Sequence, residues 1–136
     1  MKVLVDTSVW SLALRRKEKN EIIEILTELI LESLVVIIGP VRQELLSGIS
    51  DKDVFNNLKI HLQSFDDLLI TTKDYETAAE YYNICRKNGV QGSHIDFLIC
   101  AVACNNELLI FTTDQDFKHY AKHLPIRLLK TEIDEA

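Results

Sequence analysis

Residues 1–10 read MKVLVDTSVW, and the order strand, acid, hydroxyls, helix in that run decides the fold. Lys2 to Val5 is a short apolar run rich in β-branched residues, readable as a strand buried on both faces. Asp6 stops it, Thr7 and Ser8 follow, and a helix is expected from Ser8 to about Arg16. An acid directly after a buried strand is unusual, so Asp6 is the first candidate for chemistry.

Working outward, the same alternation repeats. Asn20 can cap a helix in which Ile22, Ile23, Leu26, Leu29 and Ile30 recur at helical spacing. Leu34 to Ile38 reads as a second strand. Gly39-Pro40 ends it, Pro40 suits the first turn of a helix to about Ser47, and Gly48 stops that helix. Asp51 can cap a helix to about Gln63, with Val54, Phe55, Leu58 and Leu62 on one face. Leu68 to Thr71 reads as a third strand, followed by a helix to about Lys87 that Asn88-Gly89 ends. Ser93 opens a helix to about Asn105, Leu108 to Thr112 is a fourth strand, Asp116 to His123 a short helix, and Ile126 to Leu129 an edge strand. Strands alternating with helices predict an α/β fold, a mostly parallel central sheet with helices on both faces. Neither a repeat nor a linker interrupts the pattern, so one domain is expected over 1–136.

In an open parallel sheet the functional site lies beyond the carboxyl ends of the strands. Asp6 follows the first strand and Asp114 the fourth, with Asp116 two residues on. Glu44 is about one turn into the helix after the second strand, and Asp96 is in the first turn of the helix that Ser93 opens. Four segments thus bring a carboxylate to one sheet edge. Like carboxylates in close company repel and raise a pKa. A hard divalent cation with a preference for oxygen ligands, Mg²⁺ or Mn²⁺, relieves this and suits phosphodiester hydrolysis. Each acid also has an ordinary reading. Asp96 fits a capping box with Ser93, Glu44 can answer a helix dipole, and Asp114 can serve a turn.

Composition sets bounds. The 136 residues carry a net charge of −6, which argues against a generally basic nucleic-acid-coating surface but not against substrate held through metal ions. Three cysteines, Cys85, Cys100 and Cys104, form no CxxC pair, and buried free thiols in a reducing cytoplasm are expected. No secretory signal is read. The longest apolar run, Phe97 to Cys104, is far short of the roughly 20 residues that span a bilayer, so no membrane role is expected.

The residues in and around these acids resemble those of a known family. Val5-Asp6-Thr7-Ser8-Val9-Trp10 is similar to the opening of PIN domains of the VapC toxin type, and Glu44-Leu45-Leu46-Ser47-Gly48 to their second acidic motif. Asp96-Phe97-Leu98-Ile99-Cys100-Ala101 resembles their DxLIAA helix, with Cys100 where Ala is more common. Thr112-Thr113-Asp114-Gln115-Asp116-Phe117 resembles their TxDxDF segment. All four occur in order, from Met1 to about Leu129. The resemblance implies a three-layer α/β/α PIN-like fold and a Mg²⁺- or Mn²⁺-dependent endoribonuclease that hydrolyses RNA with metal-activated water, leaving a 5′-phosphate and a 3′-hydroxyl. It further implies a toxin role in a type II toxin–antitoxin pair, a cognate VapB-type antitoxin, and a homodimer. By position, Asp6, Glu44, Asp96 and Asp114 would be the catalytic, metal-binding acids and Asp116 a secondary ligand, with Thr7 and Ser8 supporting.

Arg15, Arg16, Lys17 and Lys19 form a basic run that can steer RNA or simply be solvated. Arg42 can pair with an acid or with the scissile strand. Trp10 is expected to pack on the sheet, with base stacking the alternative. His119 and His123 lack the partners a zinc site needs. A haloacid-dehalogenase-type phosphatase is disfavoured because Ser8, not Asp, stands two residues after Asp6. A PIN nuclease of routine RNA processing and a non-catalytic RNA- or partner-binding module remain open.

Overall fold

The computed structural model describes residues 1–15 and 20–131. Arg16, Lys17 and Lys19 lie outside the described residues. The elements run β1 (Val3–Val5), α1 (Thr7–Arg15), α2 (Glu21–Leu31), β2 (Val35–Val36), α3 (Gly39–Leu46), α4 (Lys52–Leu62), α5 (Thr72–Lys87), α6 (His94–Asn105), β3 (Leu109–Phe111) and α7 (Asp116–Tyr120).

The sheet order is β2-β1-β3, and both pairings are parallel. Val3 pairs with Val35 and Leu109, Leu4 with Val36 and Ile110, and Val5 with Phe111. All three residues of β1 are buried, although their side chains alternate between faces. Both faces are therefore covered, as the three-layer α/β/α arrangement requires. Two of the expected strands are smaller than predicted. Of the segment expected as a strand from Leu68 to Thr71, only the Leu68 amide reaches the sheet, donating to Ile37 beside a single parallel bridge between Ile37 and Asp67. The chain then leaves the edge. Leu69 is 83% exposed, and the Thr71 amide is taken by the Asp74 carboxylate at the start of α5. Ile126 to Leu129 likewise contributes one bridge, Leu128 to Ile110, with Ile110 bonded to Arg127 and Leu129.

The helix starts follow their capping residues. The Asn20 side chain accepts from the Ile22 amide, Asp51 from Asp53 and Val54, and Ser93 from Asp96. Thr71 and Asp74 make a reciprocal capping box. Helix α6 is the deepest element. Phe97 through Ala103 are buried without a break, so the helix is packed all round rather than on one stripe. It packs on α5 and β3, while α1 meets α2 and α3. Cys85 and Cys100 are buried free thiols and Cys104 is half-buried, consistent with core roles. The apolar face read on α4 is partly covered, with Leu58 half-buried against the core. Only Leu62 of its four residues is buried, and Val54 is 52% exposed. Trp10 is buried with its ring edge-on to Phe65 at 5.3 Å, so packing is its role.

Candidate metal centre

Asp6 is held from both directions along the backbone. Its amide donates to the Phe111 carbonyl, extending the β1–β3 ladder by one residue, and its carbonyl accepts from the Val9 and Trp10 amides as α1 begins. The side chain is 6% exposed. Two hydroxyls, Ser8 Oγ and Thr112 Oγ1, donate to its Oδ2, each at 2.8 Å. These same oxygens accept from the Thr113 and Asp114 amides at 3.0 Å. A hydroxyl has one proton, and both protons here are committed to Asp6. The 3.2 Å approach of Ser8 to Thr112 is therefore a contact enforced by their shared acceptor. This network ties the exit of β1 to the exit of β3.

The segment after β3 continues the site. The Asp114 carboxylate accepts from the Asp116 amide at 2.9 Å, a local bond that turns the chain into α7. Asp96 comes from the first turn of α6. Ser93 supplies the cap there, but the Asp96 carboxylate does not reciprocate. It instead accepts from the Tyr120 hydroxyl at 2.7 Å. Capping therefore does not account for the Tyr120 bond, which ties this carboxylate to α7. Glu44 is the sixth residue of α3, beyond the first turn, so the dipole reading does not hold either. It is exposed and accepts from Thr7 Oγ1 at 3.3 Å.

One carboxylate oxygen from each of Asp96, Asp114 and Asp116 lies within 4.8 Å of the other two. Asp6 and Glu44 share with Asp96 and Asp114 an open cleft of about 600 Å³, lined also by Thr7, Ser8, Ser11 and Arg15. Asp116, expected as a secondary ligand, thus stands in the tightest group, while Asp6 and Glu44 lie in the cleft without joining it. Burial raises the Asp96 pKa, and the charges of Asp6 and Asp114 raise it further, against lowering bonds from Tyr120 and Ser93. Burial and the Asp96 charge push the Tyr120 phenol well up, so it remains a donor. The donor set is oxygen throughout, without thiolate or imidazole, which fits a hard cation such as Mg²⁺ or Mn²⁺.

Among the candidate RNA contacts, Arg15 lines the cleft and Arg42 does not. The Arg42 guanidinium is spent on structure. It pairs with Asp67 at 3.0 Å and donates to the carbonyls of Leu62 at 2.8 Å and Phe65 at 2.5 Å, clamping the chain after α4. Two residues of the site were not singled out from the sequence. Thr112 stands two residues before Asp114, where a hydroxyl was the available signal. Tyr120 is 24 residues from Asp96 and gave none.

The chain matches the family model described as PIN domain over residues 3–123. Its fold is similar to that in the crystal structure of VapBC2 from Rickettsia felis bound to a promoter DNA fragment, with a TM-score of 0.79, 19% identity and coverage of 95% of this chain and 98% of the other. It is similar to DNA-bound VapBC from Salmonella typhimurium, with a TM-score of 0.78, 15% identity and coverage of 95% and 97%. It also resembles FitAcB from Neisseria gonorrhoeae, with a TM-score of 0.75, 23% identity and coverage of 94% and 96%. At these identities the three likenesses speak for the fold alone.

Proposed function

Because the chain belongs to the PIN-domain family, we propose that it is a metal-dependent endoribonuclease of the VapC toxin type, acting through one PIN-like domain over 1–136. The convergence of the Asp96, Asp114 and Asp116 carboxylates to within 4.8 Å carries this reading. Like charges this close repel, and a divalent cation would relieve the repulsion. In the proposal Asp6, Glu44, Asp96 and Asp114 hold Mg²⁺ or Mn²⁺ with Asp116. Ser8 and Thr112 keep the Asp6 side chain in one orientation, and Thr7 does the same for Glu44. A divalent ion there would supply a more acidic water as nucleophile and offset charge on the phosphate as its bond breaks. Arg15 offers a cation at the cleft wall for the RNA backbone, and the cleft is open enough for a single strand.

A small antitoxin of the VapB type is the proposed partner. A protein of similar fold was solved as a toxin–antitoxin complex from Klebsiella pneumoniae. A second cleft, lined by Leu14, Leu45, Ile49, Val54 and Leu58, shares Arg15 and Glu44 with the first. An apolar segment seated there would reach the acids and mask them. A homodimer is part of the same proposal, tested by light scattering after gel filtration. No helix among the described residues is long and apolar enough to cross a membrane.

The direct test incubates the purified chain with end-labelled single-stranded RNA. Cleavage is expected with Mg²⁺ or Mn²⁺, leaving 5′-phosphate ends, and is expected to stop with EDTA. Asp96→Asn and Asp114→Asn should fall to background while remaining folded by circular dichroism. Cleavage that survives EDTA, or full activity in either variant, would remove the proposal.

A further inference from the structure

We propose that Tyr120 is a positioning residue that sets the spacing of the acidic trio, and that Gly92 is the clearance it needs; this rests on the metal-site reading above. Tyr120 is the last residue of α7, the helix that begins at Asp116. Its hydroxyl crosses to Asp96 on α6 at 2.7 Å. One phenol thereby fastens the helix carrying Asp96 to the segment carrying Asp114 and Asp116. These are the two bodies between which a shared ion would have to sit.

The ring has no freedom to give. It is fully buried, with its centroid 4.9 Å from that of Phe97 and 5.2 Å from that of Phe117. Such packing holds the hydroxyl in one place. The Asp96 backbone is fixed separately by Ser93, so the Tyr120 bond orients the carboxylate and not the helix start.

Gly92 closes the arrangement. A Cβ there would lie 2.4 Å from the Tyr120 hydroxyl oxygen, 2.8 Å from Tyr120 Cζ and 2.9 Å from Phe97 Cε2. No side chain fits unless Tyr120 and Phe97 shift. The glycine is required by proximity, since its backbone is not in the left-handed region. Ligand orientation from outside the metal's own shell typically governs about 10–100-fold in metal affinity. Tyr120→Phe keeps the ring and removes only the bond, so it isolates this effect.

The experiment is Mn²⁺ titration calorimetry on the full chain, with thermal melts in EDTA for each variant. Tyr120→Phe is expected to weaken Mn²⁺ about 10-fold or more, and Gly92→Ala to do likewise. A merely structural Tyr120 would lower the melting temperature and leave Mn²⁺ affinity unchanged. That result, or tighter binding in Tyr120→Phe, would overturn the proposal. Asp96→Ala separates the premise from the inference. If it binds Mn²⁺ as the unmodified chain does, the metal-site reading fails and the strut with it. If it loses Mn²⁺ while Tyr120→Phe keeps it, the strut alone is overturned.

Discussion

Replacing Thr112 with valine tests how the first acid is held. Valine matches threonine in shape but cannot hydrogen-bond, so two interactions vanish together. These are the 2.8 Å donation to Asp6 Oδ2 and the 3.0 Å acceptance from the Asp114 amide. A hydrogen bond to a charged group contributes about 1.5–3 kcal/mol. The Asp114 amide has water within reach at this open cleft, so its loss adds little. The expected destabilisation of the metal-free protein is therefore about 1.5–3 kcal/mol. A domain of this size shifts by about 3–5 °C per kcal/mol, which puts the melting temperature lower by about 5–15 °C. Thr112→Ser keeps the hydroxyl and loses one methyl group, so its cost should stay near 1 kcal/mol. Scanning calorimetry of both variants in EDTA, with Mg²⁺-dependent RNA cleavage measured in parallel, makes the comparison. Cleavage should drop at least 10-fold in Thr112→Val and much less in Thr112→Ser. If the two variants melt together, or if valine leaves both stability and cleavage intact, the hydroxyl clasp on Asp6 is not what orders this site.

Two other outcomes follow from the same geometry. Burial alone would raise the Asp74 pKa, but bonds from Thr71 and Asn105 pull it below its ordinary 3.8. A depressed folded pKa contributes stability that is present above pH 3.8 and lost as pH falls through the lower folded value. Asp74→Asn should therefore be less stable at neutral pH and lose less on acidification, as denaturant melts between pH 2 and pH 6 would register; parallel acid limbs would contradict it. Val54 lies exposed in the apolar cleft shared with Arg15 and Glu44, so Val54→Asp should weaken capture of an apolar antitoxin segment at least 10-fold without changing cleavage. Pull-down against the cognate antitoxin with a parallel cleavage assay reads both, and unchanged capture would move the proposed seat elsewhere.

Much of the fold was legible because it depends on local chemistry. Val3 to Val5 is apolar at every position, which suits a strand covered on both faces, and Asn20, Asp51 and Ser93 each mark a helix start by a side chain that reaches an amide two or three residues on. The edges were misread for the same reason. Leu68 to Thr71 has strand-like composition, yet whether an edge segment stays in the ladder is decided by what competes for its amides. Asp74 claims that of Thr71. The exposed side of α4 shows the same limit, since an apolar stripe does not say whether anything covers it.

Residue type and order by themselves determined that acids follow the strands, because a carboxylate is excluded from a β-strand core and tolerated where the strand ends. That placed Asp6 and Asp114 at strand ends, while Glu44 and Asp96 were placed by the helices that carry them. Tertiary structure alone decided how they are grouped: Asp116 with Asp96 and Asp114, Asp6 clasped by Ser8 and Thr112, Arg42 turned to Asp67. Hydrogen bonds fall off within a fraction of an ångström, and spacing along a chain does not fix position to that accuracy. Tyr120 meeting Asp96 beside Gly92 depends on how two helices and a loop pack, which no short stretch of residues encodes.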